Sequence, residues 1–170
     1  TAENYGSSLE RISPFILPQH KIISKVEVAG RKDFNLIKSV ENILGLLKIN
    51  KLDSLLLHNS KDFVSMISNQ EIGLLKKENF CNFVGVSVYD YHELNITDRY
   101  GMRLLDCVDV IQAPLNLFNS KFICSPIYNE INEKNIRIDF RSIFLQGILL
   151  VDDFSNLNKL LGYKKYLRQW

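Results

Sequence analysis

Short apolar runs recur along the chain, separated by stretches with helical spacing. HKIISKV (20–26), DSLLLH (53–58), FVGVSVY (83–89), VDVIQA (108–113) and IRIDFRSIF (136–144) read as strands. The first four are apolar on successive positions, which suits strands covered on both faces of a parallel sheet. The fifth alternates better, at Ile136, Ile138 and Phe140. Between the strands, residues 33–49 set Phe34, Ile37, Val40, Ile43, Leu44 and Leu47 three and four positions apart. That spacing predicts an amphipathic helix, with Asp33 as its N-cap. Residues 62–78 and 91–105 carry weaker helical spacing. SPIYNEINEKN (125–135) opens with Ser125 as N-cap and Pro126 at the first helical position. Residues 152–170 predict a last helix, with Asp152 and Asp153 at its positive end and basic residues near its far end.

The predicted strands begin roughly every 25 to 33 residues, long enough for right-handed strand–helix–strand crossovers. This is an α/β pattern, met by a doubly wound sheet or by a (β/α)8 TIM barrel. The glycine-rich turn of a dinucleotide-binding sheet is missing: VGVS lies inside a strand, and neither G-x-G-x-x-G nor a P-loop occurs. The barrel is favoured. A whole one takes eight units and about 200 residues or more, so with five strands visible the chain, read as one domain over 1–170, is either a partial barrel of about five to six units or a smaller open sheet.

Composition narrows the function classes. Of 170 residues, 46% are hydrophobic and 24% charged, which is ordinary for a globular chain. A formal charge of +2 with no basic stripe argues against nucleic acid. The most apolar run, IFLQGILLV, is interrupted by Gln146 and falls short of the ~20 residues of a membrane helix. Cys81, Cys107 and Cys124 form no CxxC and no metal spacing with histidine, so they read as free buried thiols in a reducing, cytoplasmic setting.

In a barrel, chemistry belongs to the C-terminal ends of the strands. Those ends offer Ser24 and Lys25, then His58 and Asn59, then Ser87, Tyr89 and Asp90, then Gln112 and Asn116, then Arg141, Ser142 and Gln146. Tyr5 stands ahead of them in the polar loop TAENYG. A lysine, a tyrosine and a histidine together can form a proton-transfer centre, since an ammonium beside a phenol favours the phenolate. Ser87 and Gln112 can hold a carboxamide. Each residue also has a plainer reading. Lys25 alone can lay its stem on apolar surface with its head in water, His58 can simply end a strand, and Tyr5 can be an ordinary loop aromatic. Gln112 is harder to dismiss, because a buried amide without partners costs ~1–3 kcal/mol.

Taken in order, TAENYG, IISKV, LLLHNS, VGVSVYD, VIQAPLN and RSIFLQGILL resemble the aldo-keto reductase superfamily, and within it a group of bacterial members carrying the RSIFLQG motif. The resemblance covers essentially the whole chain. It implies a (β/α)8 barrel that binds NADPH, or NADH, without a Rossmann domain and reduces an aldehyde or ketone. Tyr5 would be the general acid, Lys25 the residue that lowers its pKa, and His58 the imidazole that orients the carbonyl. Ser87 and Gln112 would bind the nicotinamide carboxamide, with Arg141 and Ser142 beside it. Three departures stand out. The family's aspartate falls just before Thr1, Val88 stands where many members have asparagine, and Arg141 stands where many stack an aromatic ring. The family's first strand and helix, and its last strand and helices, are expected outside 1–170. A cofactor-binding member without catalysis and a Schiff-base lyase using Lys25 are the rival readings.

Overall fold

The structure is a computed structural model, and it describes residues 1–28, 34–66, 69–98 and 100–150. Five parallel strands form one sheet: β1 (Ile23–Val26), β2 (Leu52–Leu57), β3 (Cys81–Ser87), β4 (Val110–Pro114) and β5 (Arg137–Arg141). Each strand pairs with its neighbours in sequence. This is the partial α/β barrel that the pattern predicts, with five strand units among the described residues.

Register explains the successive apolar positions. Val26, Leu57, Val86, Ile111 and Ile138 form one row across the sheet. That row packs into the main core, with Leu36, Val40, Ile43 and Leu47 of helix α2 (Leu36–Leu47). The adjacent row is Lys25, Leu56, Gly85, Val110 and Arg137, on the opposite face. Leu56 and Val110 are fully buried there. Both faces are therefore covered over β2–β4, and the second face also carries the polar residues Ser54, Ser87 and Gln112.

Gly85 lets that row close. A Cβ at this position would lie 2.0 Å from the Val110 carbonyl oxygen and 2.7 Å from Leu56 Cδ2. From the same row, Arg137 reaches back from β5 to β2. Its guanidinium bonds Asp53 Oδ2 (3.0 Å) and Ser54 Oγ (2.5 Å) and lies 5.2 Å from the centre of the Phe83 ring.

Several predicted boundaries shift for local physical reasons. Helix α1 (Ser8–Ile12) precedes β1, and β1 begins at Ile23 rather than at His20. Helix α2 is capped by Asn35, whose side chain accepts from the Lys38 amide, while Asp33 lies outside the described residues. Within the 62–78 segment the described residues are helical as expected, in α3 (Ser60–Met66) and α4 (Asn69–Lys77), and 67–68 lie outside the described residues. The 91–105 segment is not a helix. It holds two short 3-10 turns, Tyr91–Asn95 and Leu104–Cys107, joined by a bend in which Asp98 Oδ1 accepts from the Tyr100 and Met102 amides. Gly101, at φ +78°, completes that bend.

Helix α5 spans Pro126–Glu133 with Ser125 at its N-cap position and Pro126 at its start, as the sequence predicts, but the Ser125 hydroxyl makes no bond to a helix amide and donates to the Phe122 carbonyl instead (2.6 Å). Strand β5 ends at Arg141, because Ser142 takes φ +61° and turns the chain. The helix predicted over 152–170 lies outside the described residues. The cysteines are free, but only Cys81 is buried; Cys107 is half-buried and Cys124 is exposed, against the expectation of buried thiols. No helix among the described residues is long and apolar enough to cross a membrane.

Candidate active site

Three residues far apart in sequence meet at the C-terminal rim. The Glu3 amide donates to the Lys25 carbonyl (3.2 Å), so the chain before α1 runs beside β1 and turns just past its end. Gly6, at φ +56°, makes that turn and leaves Tyr5 at the rim, half-exposed. His58 directly follows β2, its amide donating to the Val26 carbonyl (2.8 Å). The Tyr5 and His58 rings meet edge to face with centroids 5.9 Å apart. Lys25 Nζ lies 6.0 Å from the Tyr5 ring centroid.

Lys25 does not snorkel, being only 9% exposed. Its pKa is lowered from the usual lysine value, first by burial and then by the positive charge of Arg141. Ser24, adjacent in sequence, shares the face of Leu55 and packs toward the helices, its buried hydroxyl without a partner among the described residues. Asn59 has a structural task, its Oδ1 accepting the Asp62 amide (3.1 Å) at the start of α3.

The second group lies along the same face. Ser87 ends β3, 2% exposed, and is the register partner of Gln112 on β4. No hydrogen bond to either side chain is formed within the described residues. Two neighbouring polar groups with open bonding capacity suit a carboxamide, which both donates and accepts. Arg141 ends β5. Its Nη2 donates to the Val88 carbonyl (3.0 Å), and its guanidinium carbon sits 4.4 Å from the centre of the Tyr89 ring. Its Nε is buried and has no partner among the described residues. Ser142 begins the turn beyond it.

A cavity of about 370 Å³ opens between the loops after β3 and β4, lined by Tyr89, Asp90, Tyr91, Pro114, Phe118 and Phe122. It lies beside the Arg141–Tyr89 stack rather than at Tyr5. The loop after β3 is pinned by Glu93, which accepts from the Tyr89 and Asp90 amides (both 2.8 Å) and from the Ser60 hydroxyl (2.5 Å).

Sequence reasoning missed two members of the rim. Glu27 Oε2 stands 2.6 Å from Asn4 Nδ2 and 3.9 Å from His58 Nδ1, and Asn4 Nδ2 stands 3.0 Å from His58 Nδ1. The two-residue period of a strand puts Glu27 on the face of Lys25, so that signal was available. Nothing local marks Asn4.

No protein-family model matches the chain, and no curated protein matches it in sequence. Solved structures do match in shape. A Pseudomonas aeruginosa protein assigned to the aldo-keto reductases superposes with a TM-score of 0.64 at 24% identity, covering 83% of this chain and 58% of that one. An aldo-keto reductase from Klebsiella pneumoniae in complex with NADPH superposes at 0.67 and 19% identity, over 98% of this chain and 60% of that one. The fold is that of the aldo-keto reductases. A glycerol dehydrogenase from Gluconobacter oxydans shares it, at a TM-score of 0.63 and 21% identity, over 95% of this chain and 56% of that one. The chain therefore spans 56–60% of the length of the Klebsiella and Gluconobacter proteins.

Proposed function

We propose that this chain carries the carbonyl-reducing site of a nicotinamide-dependent oxidoreductase. The observation that supports it is the convergence of a phenol, an ammonium and an imidazole at one rim, with Lys25 Nζ 6.0 Å from the Tyr5 ring centroid and the Tyr5 and His58 rings 5.9 Å apart. Tyr5 acts as general acid and gives its proton to the substrate oxygen. Lys25, held with little water around it, stabilises the negative charge that Tyr5 then takes on, because a cation acts more strongly where solvent is excluded. His58 orients the carbonyl. Ser87, Gln112, Arg141 and Ser142 form the cofactor side, with Ser87 and Gln112 bonding the carboxamide. The cofactor, NADPH with NADH as the second choice, supplies the hydride when bound. The substrate is a small aldehyde or ketone, and the setting is cytoplasmic.

The engagement of Arg141 with Tyr89 and Val88, where many relatives stack an aromatic ring, favours a second reading: a cofactor-binding protein without turnover. One experiment separates the two. Oxidation of NADPH is followed by its absorbance with a panel of aldehydes and ketones, in the natural full-length protein and in Tyr5→Phe. Loss of a positioned general acid lowers the rate about 10²- to 10⁴-fold. Equal rates in the two proteins remove Tyr5 from the mechanism, and tight NADPH binding without turnover on any substrate selects the second reading.

A further inference from the structure

Asn4 Nδ2 lies between two acceptors of different kind. It is 2.6 Å from Glu27 Oε2 and 3.0 Å from His58 Nδ1. A primary amide nitrogen carries two hydrogens and no usable lone pair, while an ionised carboxylate only accepts. Glu27 therefore fixes which way the Asn4 amide faces. Turned over, the amide would set its carbonyl oxygen against a carboxylate oxygen at hydrogen-bond distance, with no proton between them. With the –NH2 so held, one hydrogen goes to Glu27 and the other points at His58 Nδ1. Nδ1 must then be the unprotonated nitrogen of the ring, and the neutral imidazole carries its proton on Nε2.

We propose that Glu27 and Asn4 are positioning residues that lock His58 in the Nε2–H tautomer, so that it meets its ligand only as a hydrogen-bond donor. This rests on the reading that His58 faces a carbonyl oxygen, which accepts and never donates. Among the described residues, the other charged or titratable groups facing this corner are Lys25, on the same face as Glu27, and Tyr5, edge-on to the imidazole ring. Glu27 stands 3.9 Å from Nδ1 and would attract an imidazolium, but the Asn4 donor lies closer and opposes a proton on that nitrogen. Second-partner control of a histidine tautomer is a general device; here it is built from an exposed turn residue and the first residue beyond a strand.

The test reads the proton directly. In the natural full-length protein, long-range 1H–15N correlation spectra of the imidazoles, with His58→Gln to assign the signals, are expected to show His58 protonated on Nε2 alone at neutral pH. In Asn4→Asp a carboxylate replaces the donor, so the proton is expected on Nδ1. The kcat for an accepted carbonyl substrate then falls about 10²-fold, the size of losing one preorganised donor, with KM changed less. In Glu27→Gln the amide of Asn4 is free to turn, and both tautomers are expected together. Asn4 is exposed and Glu27 half-buried, and neither belongs to the core cluster, so neither change disturbs the core. A wild-type imidazole protonated on Nδ1, or an Asn4→Asp protein with an unchanged spectrum, overturns the lock. An Nε2–H signal that responds as described in a protein that reduces no carbonyl compound leaves the lock standing and removes the reductase reading instead.

Discussion

Replacing Gly85 with alanine should be among the most damaging single changes in the sheet. The new Cβ would sit 2.0 Å from the Val110 carbonyl oxygen, more than 1 Å inside the ~3.3 Å at which carbon normally meets such an oxygen. That oxygen belongs to the backbone of β4, which is paired on both sides and cannot rotate away. Leu56 Cδ2, 2.7 Å from the same point, would also have to move within a fully buried site. Overpacking against mobile side chains costs ~1–3 kcal/mol, and a backbone neighbour puts this case at or above the top of that range. The better strand preference of alanine returns ~0.5–1 kcal/mol. The net is about 2–3 kcal/mol, a large share of the 5–15 kcal/mol that holds an ordinary domain together. Urea unfolding followed by circular dichroism should show the midpoint falling by about 1 M or more, with the slope unchanged. Gly45→Ala is the internal control: it lies exposed in α2 with nothing within 4 Å of its Cβ position, and should gain up to ~1 kcal/mol. Two variants within ~0.5 kcal/mol of each other would refute the close approach of β3 and β4 at this row.

Three further outcomes follow from the same coordinates. Arg137→Met should cost ~1–3 kcal/mol in urea melts, because Asp53, whose side chain is only 8% exposed, keeps the Ser54 hydroxyl but loses a guanidinium that is itself one-third exposed; a neutral result would mean the bridge contributes nothing. Lys25 binds its proton less tightly folded than unfolded, so its charged burial opposes folding below its lowered pKa and that penalty fades as pH rises toward the ordinary lysine value of 10.5. The stability of the natural protein relative to Lys25→Met should therefore improve between pH 7 and about pH 10, and a flat difference would contradict the lowered pKa. Cys124 is exposed, whereas burial, aided by Asp109, pushes the Cys81 thiol up to about 11. Iodoacetamide near neutral pH should thus modify Cys124 first and Cys81 last, and mass spectrometry showing the reverse order would count against the burial of Cys81.

The parts of this fold that could be read in advance are those set by short-range pattern. Unbroken apolar runs marked the first four strands, and β2–β4 are covered on both faces, whereas β5 alternates and is half-buried along its length. The residues of the rim could be named because strand ends are where a parallel barrel puts polar groups. What escaped notice depended on competition between local and distant partners. Residues 91–105 have helical spacing, yet the Asp98 carboxylate captures two backbone amides and Gly101 turns the chain, so a loop wins. Ser125 takes the N-cap position that the sequence marks, but its hydroxyl bonds the Phe122 carbonyl rather than a helix amide. Asn4 had no signature, since its meaning comes from Glu27 and His58, 23 and 54 residues away.

The sequential strand order carries a consequence for how the chain comes together. Each strand docks on the one synthesised just before it, so the sheet can grow as a zipper from its first pair while later segments are still emerging. The Arg137–Asp53 bridge breaks that locality, joining residues 84 apart. It can form only after the fifth strand has been laid down, and it ties the newest edge of the zipper to the second strand. Growth that starts strand by strand is thereby made cooperative across the sheet, because the fifth strand is held by the second as well as by its neighbour.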